Sequence, residues 1–246
     1  AQSLMTMDPN GQDIDMAGIP TTEPTFGLKA MWIDRHKRSE AEEKGYTVVD
    51  PMTVITTHLG EIIRDNTPDL LSFSETQKLL DGLDTSHQKL LSDIVPTQIT
   101  TGGIARVLQN LLAERISIRA LSGILAAISE ACVFTHNLTS ITEHVRTRLS
   151  RHICSAFSDE DGVLHLVMLS PEWENTLNQS LVGEGDGRQL VMAPSKLQEF
   201  TKRVREVFDA QSMHGTVPVL LVGPLLRSHV RAIIERFSHT TVVLSQ

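Results

Sequence analysis

The sequence predicts a mixed α+β, multidomain chain. It has a partial α/β region at the N-terminus, a central all-helical domain and a small α/β domain at the C-terminus. Three observations predict this. Turn formers crowd residues 1–30. Apolar residues then recur at helical spacing from about 71 to 157. Beyond residue 158 short β-like runs alternate with helices, the rhythm of an α/β unit. The expected divisions are 1–70, 71–150 and 151–246, and 246 residues are enough for two or three compact units.

The first thirty residues contain Asp8-Pro9-Asn10-Gly11, Gly18, Pro20, Pro24 and Gly27, and read as loop with little regular structure. A charged helix follows over about 34–44, stopped by Gly45, and then a strand at Tyr46–Val49. Asp50-Pro51 opens a helix, with Asp as N-cap and Pro at the first helical position. Val54, Ile55, His58, Leu59, Ile62 and Ile63 continue it at the helical period.

The central region carries successive apolar stripes: Leu79/Leu80/Leu83, Leu90/Leu91/Ile94/Val95, Ile104 to Leu112, Ile118 to Ile128, and Ile141 to Ile153. Ser74-x-x-Gln77 and Ser140-x-x-Glu143 are candidate capping boxes. Stripes of this kind need partners, which predicts a helical domain. In the last region Val163–Leu169, Gln189–Met192, Val217–Val222 and Thr241–Leu244 read as strands. Helices are expected to begin at Ser170-Pro171, Ala193-Pro194 and Gly223-Pro224.

Composition narrows the function classes. With 40% hydrophobic and 21% charged residues the chain is globular rather than disordered. Aromatics are only 4%, so the core is built from Leu, Ile, Val, Ala and Met. A net charge of −8 argues against a nucleic-acid partner, and the basic run Arg35, Lys37, Arg38 reads as a solvated helix face. Cys132 and Cys154 sit in helical apolar patterns with no paired spacing, and are expected to be reduced and largely buried. No apolar stretch is long enough to span a membrane. The best, Val217 to Leu226, is broken by Pro218, Gly223 and Pro224. The start lacks a basic-then-apolar leader and an initiator Met, which suggests a piece of something longer.

Signals for catalysis are weak. His58 and Glu61 stand three residues apart on one helix, but no second such pair accompanies them. Ser86-x-x-Lys89 lacks the companion motifs of its hydrolase class and reads as a polar helix start. Gly183-Glu184-Gly185-Asp186-Gly187 follows a helix and precedes a strand. That is the reverse of a phosphate cradle, and two carboxylates would repel phosphate. No catalytic residue, metal or cofactor is therefore expected. A hydrolase or metalloenzyme using His58, Glu61 or Ser86 is the competing reading from another class. It needs several polar groups to converge in one pocket.

Longer blocks say more. From Glu23 the chain reads EPTFGLKAMWI, then EAEEKGYTVVDPMTVITTHLGEII; later come ETQKLLD, DIVP, RVLQNLLAERISIRAL and TEHVRTRLSRHI. The end reads VPVLLVGPLLRSHVRAIIERF and then VVLS. In this order the blocks resemble the FHIPEP family of flagellar type III export gate proteins, over essentially the whole chain. FGLKAMWI and GYTVVDPMTVITTHL favour the flagellar branch over the injectisome branch, which remains the alternative.

The resemblance implies the cytoplasmic part of a bacterial inner-membrane protein, itself soluble and non-enzymatic. It would dock export chaperone–substrate complexes and order their export. Implied partners are flagellar export chaperones with cargo, export ATPase complex components and other export gate proteins, with nine-membered ring assembly in the full-length protein. This piece is expected to be monomeric without the membrane half that concentrates subunits.

By resemblance, docking uses a shallow dimple. Glu23, Phe26 and Thr57 take its main positions, Val49 and Met7 lie beside it, and Ser117 lies at its helical edge. Glu23 stands where the family usually has Asp. Ala120 interrupts the common IRD sequence after Ser117-Ile118-Arg119. From the residues alone Phe26 is either a binding anchor or a plug on the core, and Thr57 either a contact or a surface hydroxyl. The resemblance favours the anchor.

Overall fold

Backbone pairing makes strands of the N-terminal stretch that its turn formers had marked as loop. In a computed structural model, which describes residues 3–212 and 217–246, β1 runs Ser3–Met7, β2 Ile19–Thr22 and β3 Lys29–Asp34. Leu4, Met5 and Thr6 are buried in β1, and Ala30 and Ile33 in β3. Pro and Gly punctuate the connections between these short strands rather than replacing them. Ala1 and Gln2 lie outside the described residues.

The chain forms two units, residues 1–70 and 71–246. In the first, a 3-10 turn at Arg35–Lys37 leads into α1 (Arg38–Glu43), followed by β4 (Thr47–Val49), α2 (Pro51–Asp65) and α3 (Thr67–Leu70). The four strands form one antiparallel sheet in the order β2-β3-β1-β4. Met5 pairs with Trp32 on one side and Val49 on the other. Because side chains alternate across a sheet, each face has its own core. Leu4 and Ile33 pack with Ala41 of α1 on one face, and Met5 and Ala30 with Val54 of α2 on the other. Asp50 caps α2 as expected, its carboxylate accepting from the Thr53 amide at 2.8 Å.

The second unit begins with helices α4 (Phe73–Asp81), α5 (Thr85–Ile94), α6 (Thr101–Ala113), α7 (Leu121–Cys132), α8 (Leu138–Arg148) and α9 (Ser150–Phe157). Two caps differ from the expected boxes. Ser72, not Ser74, accepts from the Glu75 amide at the start of α4, and Asn137, not Ser140, caps α8 through the amides of Thr139 and Ser140. In each case an earlier side-chain oxygen reaches the first-turn amides, so the helix starts sooner. Cys132 is buried, but Cys154 is exposed on α9, against expectation.

The chain continues with β5 (Leu166–Met168), α10 (Pro171–Gln179), β6 (Leu181–Val182), β7 (Gln189–Leu190), α11 (Pro194–Ser212), β8 (Val219–Val222), α12 (Arg227–Ile234) and β9 (Val243–Ser245). α12 starts three residues beyond Pro224. The glycine-rich segment 183–187 links β6 to β7 in a two-stranded hairpin and so follows a strand, not a helix. There the Asp186 carboxylate accepts from Ser140 Oγ at 2.8 Å and from the Thr135 hydroxyl, tying the hairpin to the start of α8.

β5, β8 and β9 form a parallel sheet with β8 in the middle. Val219 and Leu221 pack into the helical core with Leu111, Ile128 and Val145. Leu220 and Val222 pack into the second core with Phe200, Val230 and Ile234. A strand covered on both faces reads as the continuous apolar run Val219-Leu220-Leu221-Val222.

An ion network ties α12 to the helical layer. Arg227, only 3% exposed, donates from Nε to Glu143 Oε2 at 2.5 Å and from Nη1 and Nη2 to Glu114 at 2.8 and 3.1 Å. Arg146 pairs with Glu114 at 3.0 Å, and Arg231 donates to the carbonyl of Thr241 at 2.9 Å. Burial opposes the charge on Arg227. The Glu114 and Glu143 carboxylates more than restore it, so its pKa is raised overall.

Candidate docking site

The turn that joins β2 to β3 is built by Glu23. Its carboxylate is 4% exposed and folds back on its own loop, Oε1 accepting from the Thr25 amide at 2.9 Å and Oε2 from the Phe26 amide at 2.7 Å. The backbone closes the same turn, with Glu23 N–H donating to Leu28 O at 2.8 Å and Gly27 N–H to Glu23 O at 3.0 Å. Gly27 has φ +69, the left-handed region that a glycine enters at little cost. Burial pushes the Glu23 carboxyl up, but the hydrogen bonds from Thr25 and Phe26, with the charge of His58, outweigh it. The carboxyl is held below the usual range.

This geometry presents Phe26 outward. Its ring is 67% exposed, so it does not plug the loop onto a core. Every Glu23 contact above is within the turn, so the acid is a brace for the aromatic rather than an outward contact.

The other residues divide by position. Met7 and Val49 are half-buried and pack beside Met5, Ala30 and Val54, on the sheet face that carries α2. Thr57 is exposed on α2, one turn beyond buried Val54. Glu23, Phe26, Thr57, Val49 and Met7 thus all belong to the first unit. Ser117 belongs to the second, in the segment between α6 and α7, where it is exposed at the mouth of a cavity of about 410 Å³.

Sequence reasoning missed an apolar surface here. Of the α2 residues with helical period only Val54 is buried. Met52, Ile55, Leu59, Ile62 and Ile63 are exposed and lie along one side at spacings of three and four. Periodicity identifies such a stripe but does not say whether anything covers it. Trp32, half-buried in the same cluster as Met7 and Val49, was also not singled out.

Of the polar candidates for chemistry, His58 and Glu61 stand one turn apart on α2 of the first unit, and Ser86 belongs to the second. Ser86 donates its hydroxyl to Asp84 at 2.7 Å in the first turn of α5. Among the described residues no three His, Cys, Asp or Glu side chains gather as a metal cluster would require. No described helix is long and apolar enough to cross a membrane.

The braced turn that presents Phe26 and the sheet face with half-buried Met7, Trp32 and Val49 belong to one unit, residues 1–70. The chain matches the FHIPEP family over residues 1–246 and belongs to that family. It is 47% identical over 243 residues to the flagellar biosynthesis protein FlhA of Caulobacter vibrioides, covering 99% of this chain and 35% of that protein. The chain thus spans about a third of the length of the relatives it matches. Its fold is that of the Chlamydia pneumoniae CdsV protein, solved in complex with CdsO (TM-score 0.81, 22% identity, covering 99% of this chain and 72% of that one). It is also that of the nonameric EPEC SctV-C seen by cryo-electron microscopy (TM-score 0.76, 20% identity, 99% and 73% covered).

Proposed function

We propose that this chain is a cytoplasmic docking platform of the flagellar type III export gate. It binds export chaperone–substrate complexes and orders their export. It is not an enzyme: its role is recognition, and no cofactor is used. The observation that carries the reading is the outward Phe26 ring on a turn locked by the Glu23 carboxylate. A rigid aromatic at a surface anchors a partner at low entropic cost. Within the first unit Thr57 and half-buried Met7 and Val49 extend the contact; Ser117, in the second unit, is assigned by the family resemblance alone. The 47% identity to FlhA supports the flagellar branch over the injectisome branch, and the CdsV and SctV-C neighbours are only 22% and 20% identical to this chain.

Assembly and further partners follow the same analogy. The EPEC relative is nonameric and the Chlamydia relative binds CdsO. For this chain we infer a nine-membered ring in the full-length, membrane-anchored protein. We also infer contacts with export ATPase complex components and other gate proteins.

Calorimetric titration with a flagellar chaperone–cargo complex tests the docking site. Phe26→Ala removes the anchor and should cost about 2 kcal/mol, roughly a 30-fold loss of affinity. The thermal melt should change little, because Phe26 is mostly exposed in the fold. Normal binding by Phe26→Ala would refute the assigned site.

A further inference from the structure

Helix α12 presents two faces. Arg227, Val230, Arg231 and Ile234 are buried against the rest of the second unit. His229, Ala232, Ile233 and Arg236 follow one another at spacings of three and four, so they share the opposite side. That side forms one wall of a cavity of about 290 Å³, and β7 with the segment leading into α11 forms the other. Leu190, Met192 and Ile233 line the cavity and pack on the second core, so its inner surface is apolar; Leu197 extends that surface.

Both charges on this cavity are positive. Arg188 and Arg236 line it, and no carboxylate does. Neither guanidinium forms an ion pair among the described residues, and residues 1–2 and 213–216 include no Asp or Glu. The acids nearest in sequence are engaged elsewhere. Asp186 accepts from the hydroxyls of Ser140 and Thr135, which pins the hairpin that carries Arg188. Glu235 lies 3.9 Å from Arg231. Arg188 also borders the neighbouring cavity that holds Glu143, but Glu143 is paired with Arg227. His229 adds no charge, because burial lowers its pKa and leaves the imidazole neutral at pH 7.

We propose that this cavity binds an acidic segment of a protein partner, with one aliphatic side chain on the Leu190, Met192 and Ile233 surface and carboxylates on Arg188 and Arg236. Two unpaired cations beside an apolar wall are complemented by that combination, whereas a basic segment would set like charges against each other. A nucleic acid would meet the chain's net charge of −8 and has no aliphatic side chain for the wall. The cavity lies wholly within the second unit and stands apart from the Phe26 turn. Arg236 is exposed and Arg188 half-buried, so affinity falls with added salt.

The test is fluorescence anisotropy with labelled peptides and the whole chain at low salt. One peptide carries a central Leu between glutamates, a second the same Leu between lysines, and a third a central Ala between glutamates. The first should bind the wild-type chain, and the other two at least about tenfold more weakly. The double reversal Arg188→Glu/Arg236→Glu should weaken the first peptide by about tenfold or more and strengthen binding of the lysine-flanked one. Damage to the fold would weaken both peptides, so the exchange of preference identifies the two guanidiniums as the contact. Ala232→Trp, which fills the cavity from an exposed position on α12, should also weaken the first peptide by about tenfold or more. If that variant unfolds, the double reversal still decides. Phe26→Ala should leave peptide binding unchanged. No binding of the glutamate-flanked peptide, equal binding of the lysine-flanked one to wild type, unchanged binding by the double reversal, or loss with Phe26→Ala overturns the proposal. Sedimentation of the chain alone tests a second copy as occupant: self-association that the double reversal abolishes would also overturn it.

Discussion

Glu23 illustrates how one side chain can set the geometry of another. The family resemblance implied that it is a contact residue. Its oxygens, however, are spent on the amides of Thr25 and Phe26. The pH dependence follows in sign. The native carboxyl sits below its ordinary pKa, so the unfolded chain binds protons more readily. The stabilisation is complete above the usual carboxylate range and is lost as pH falls through the depressed native value. Glu23→Gln should therefore melt a few degrees lower than wild type at neutral pH, and the gap should close in acid. Circular dichroism melts across that range check this; a gap that persists in acid would mean that the charge is irrelevant. At this scale the sequence was only partly legible. Gly27 and Pro24 announced a turn, but nothing in the pattern shows that an acid three residues before an aromatic will fold back to hold it outward.

At the scale of elements, helices were the most readable because caps and apolar periodicity act locally. Asp50-Pro51 opens α2 as expected, while α4 and α8 start earlier than their Ser-x-x-Gln and Ser-x-x-Glu patterns suggested. The N-terminal strands were hidden because their lengths are short and their linkers rich in Pro and Gly. Arg227, Glu114 and Glu143 were equally unreadable. They lie up to 113 residues apart in the chain, and no local signal joins them. Their arrangement makes a strong prediction. Arg227→Met fits a similar volume but strips Glu143 of its paired guanidinium and leaves Glu114 with Arg146 alone. It should destabilise the second unit by about 3–5 kcal/mol, the usual result of removing one partner from a buried ion pair. Replacing Arg227, Arg146, Glu114 and Glu143 together with apolar side chains should cost far less, since no buried charge is then left without a partner. Urea unfolding of both variants distinguishes a true ion lock from a surface pairing, for which the single substitution would cost about 1 kcal/mol or less.

For the whole molecule, each unit has cores of its own. Leu80, Ile104, Leu108, Ile124 and Ile128 fill one core of the second unit, and Phe200, Leu220, Val230 and Val243 fill the other. A chain of residues 71–246 alone should therefore fold, with a helical spectrum and a cooperative melt. A spectrum of unfolded chain would mean that residues 1–70 supply something the second unit needs. The mixed α+β class was legible because strand and helix rhythms differ along the sequence. The cavity behind Ser117 was not, because α9 and the segment after α6 meet only in the folded chain.

The parallel sheet behaves as a party wall between two rooms. Leu220 and Leu221 are adjacent in the chain, yet each looks into a different room. Neither room can be refurbished freely, because β8 has no idle side on which a misfit could be absorbed. A bulkier residue at either position must push the wall itself, and so disturb the neighbour that was not altered. Variation in this stretch of sequence is thereby confined to exchanges of nearly equal shape, and the confinement comes from architecture rather than from any contact with a partner.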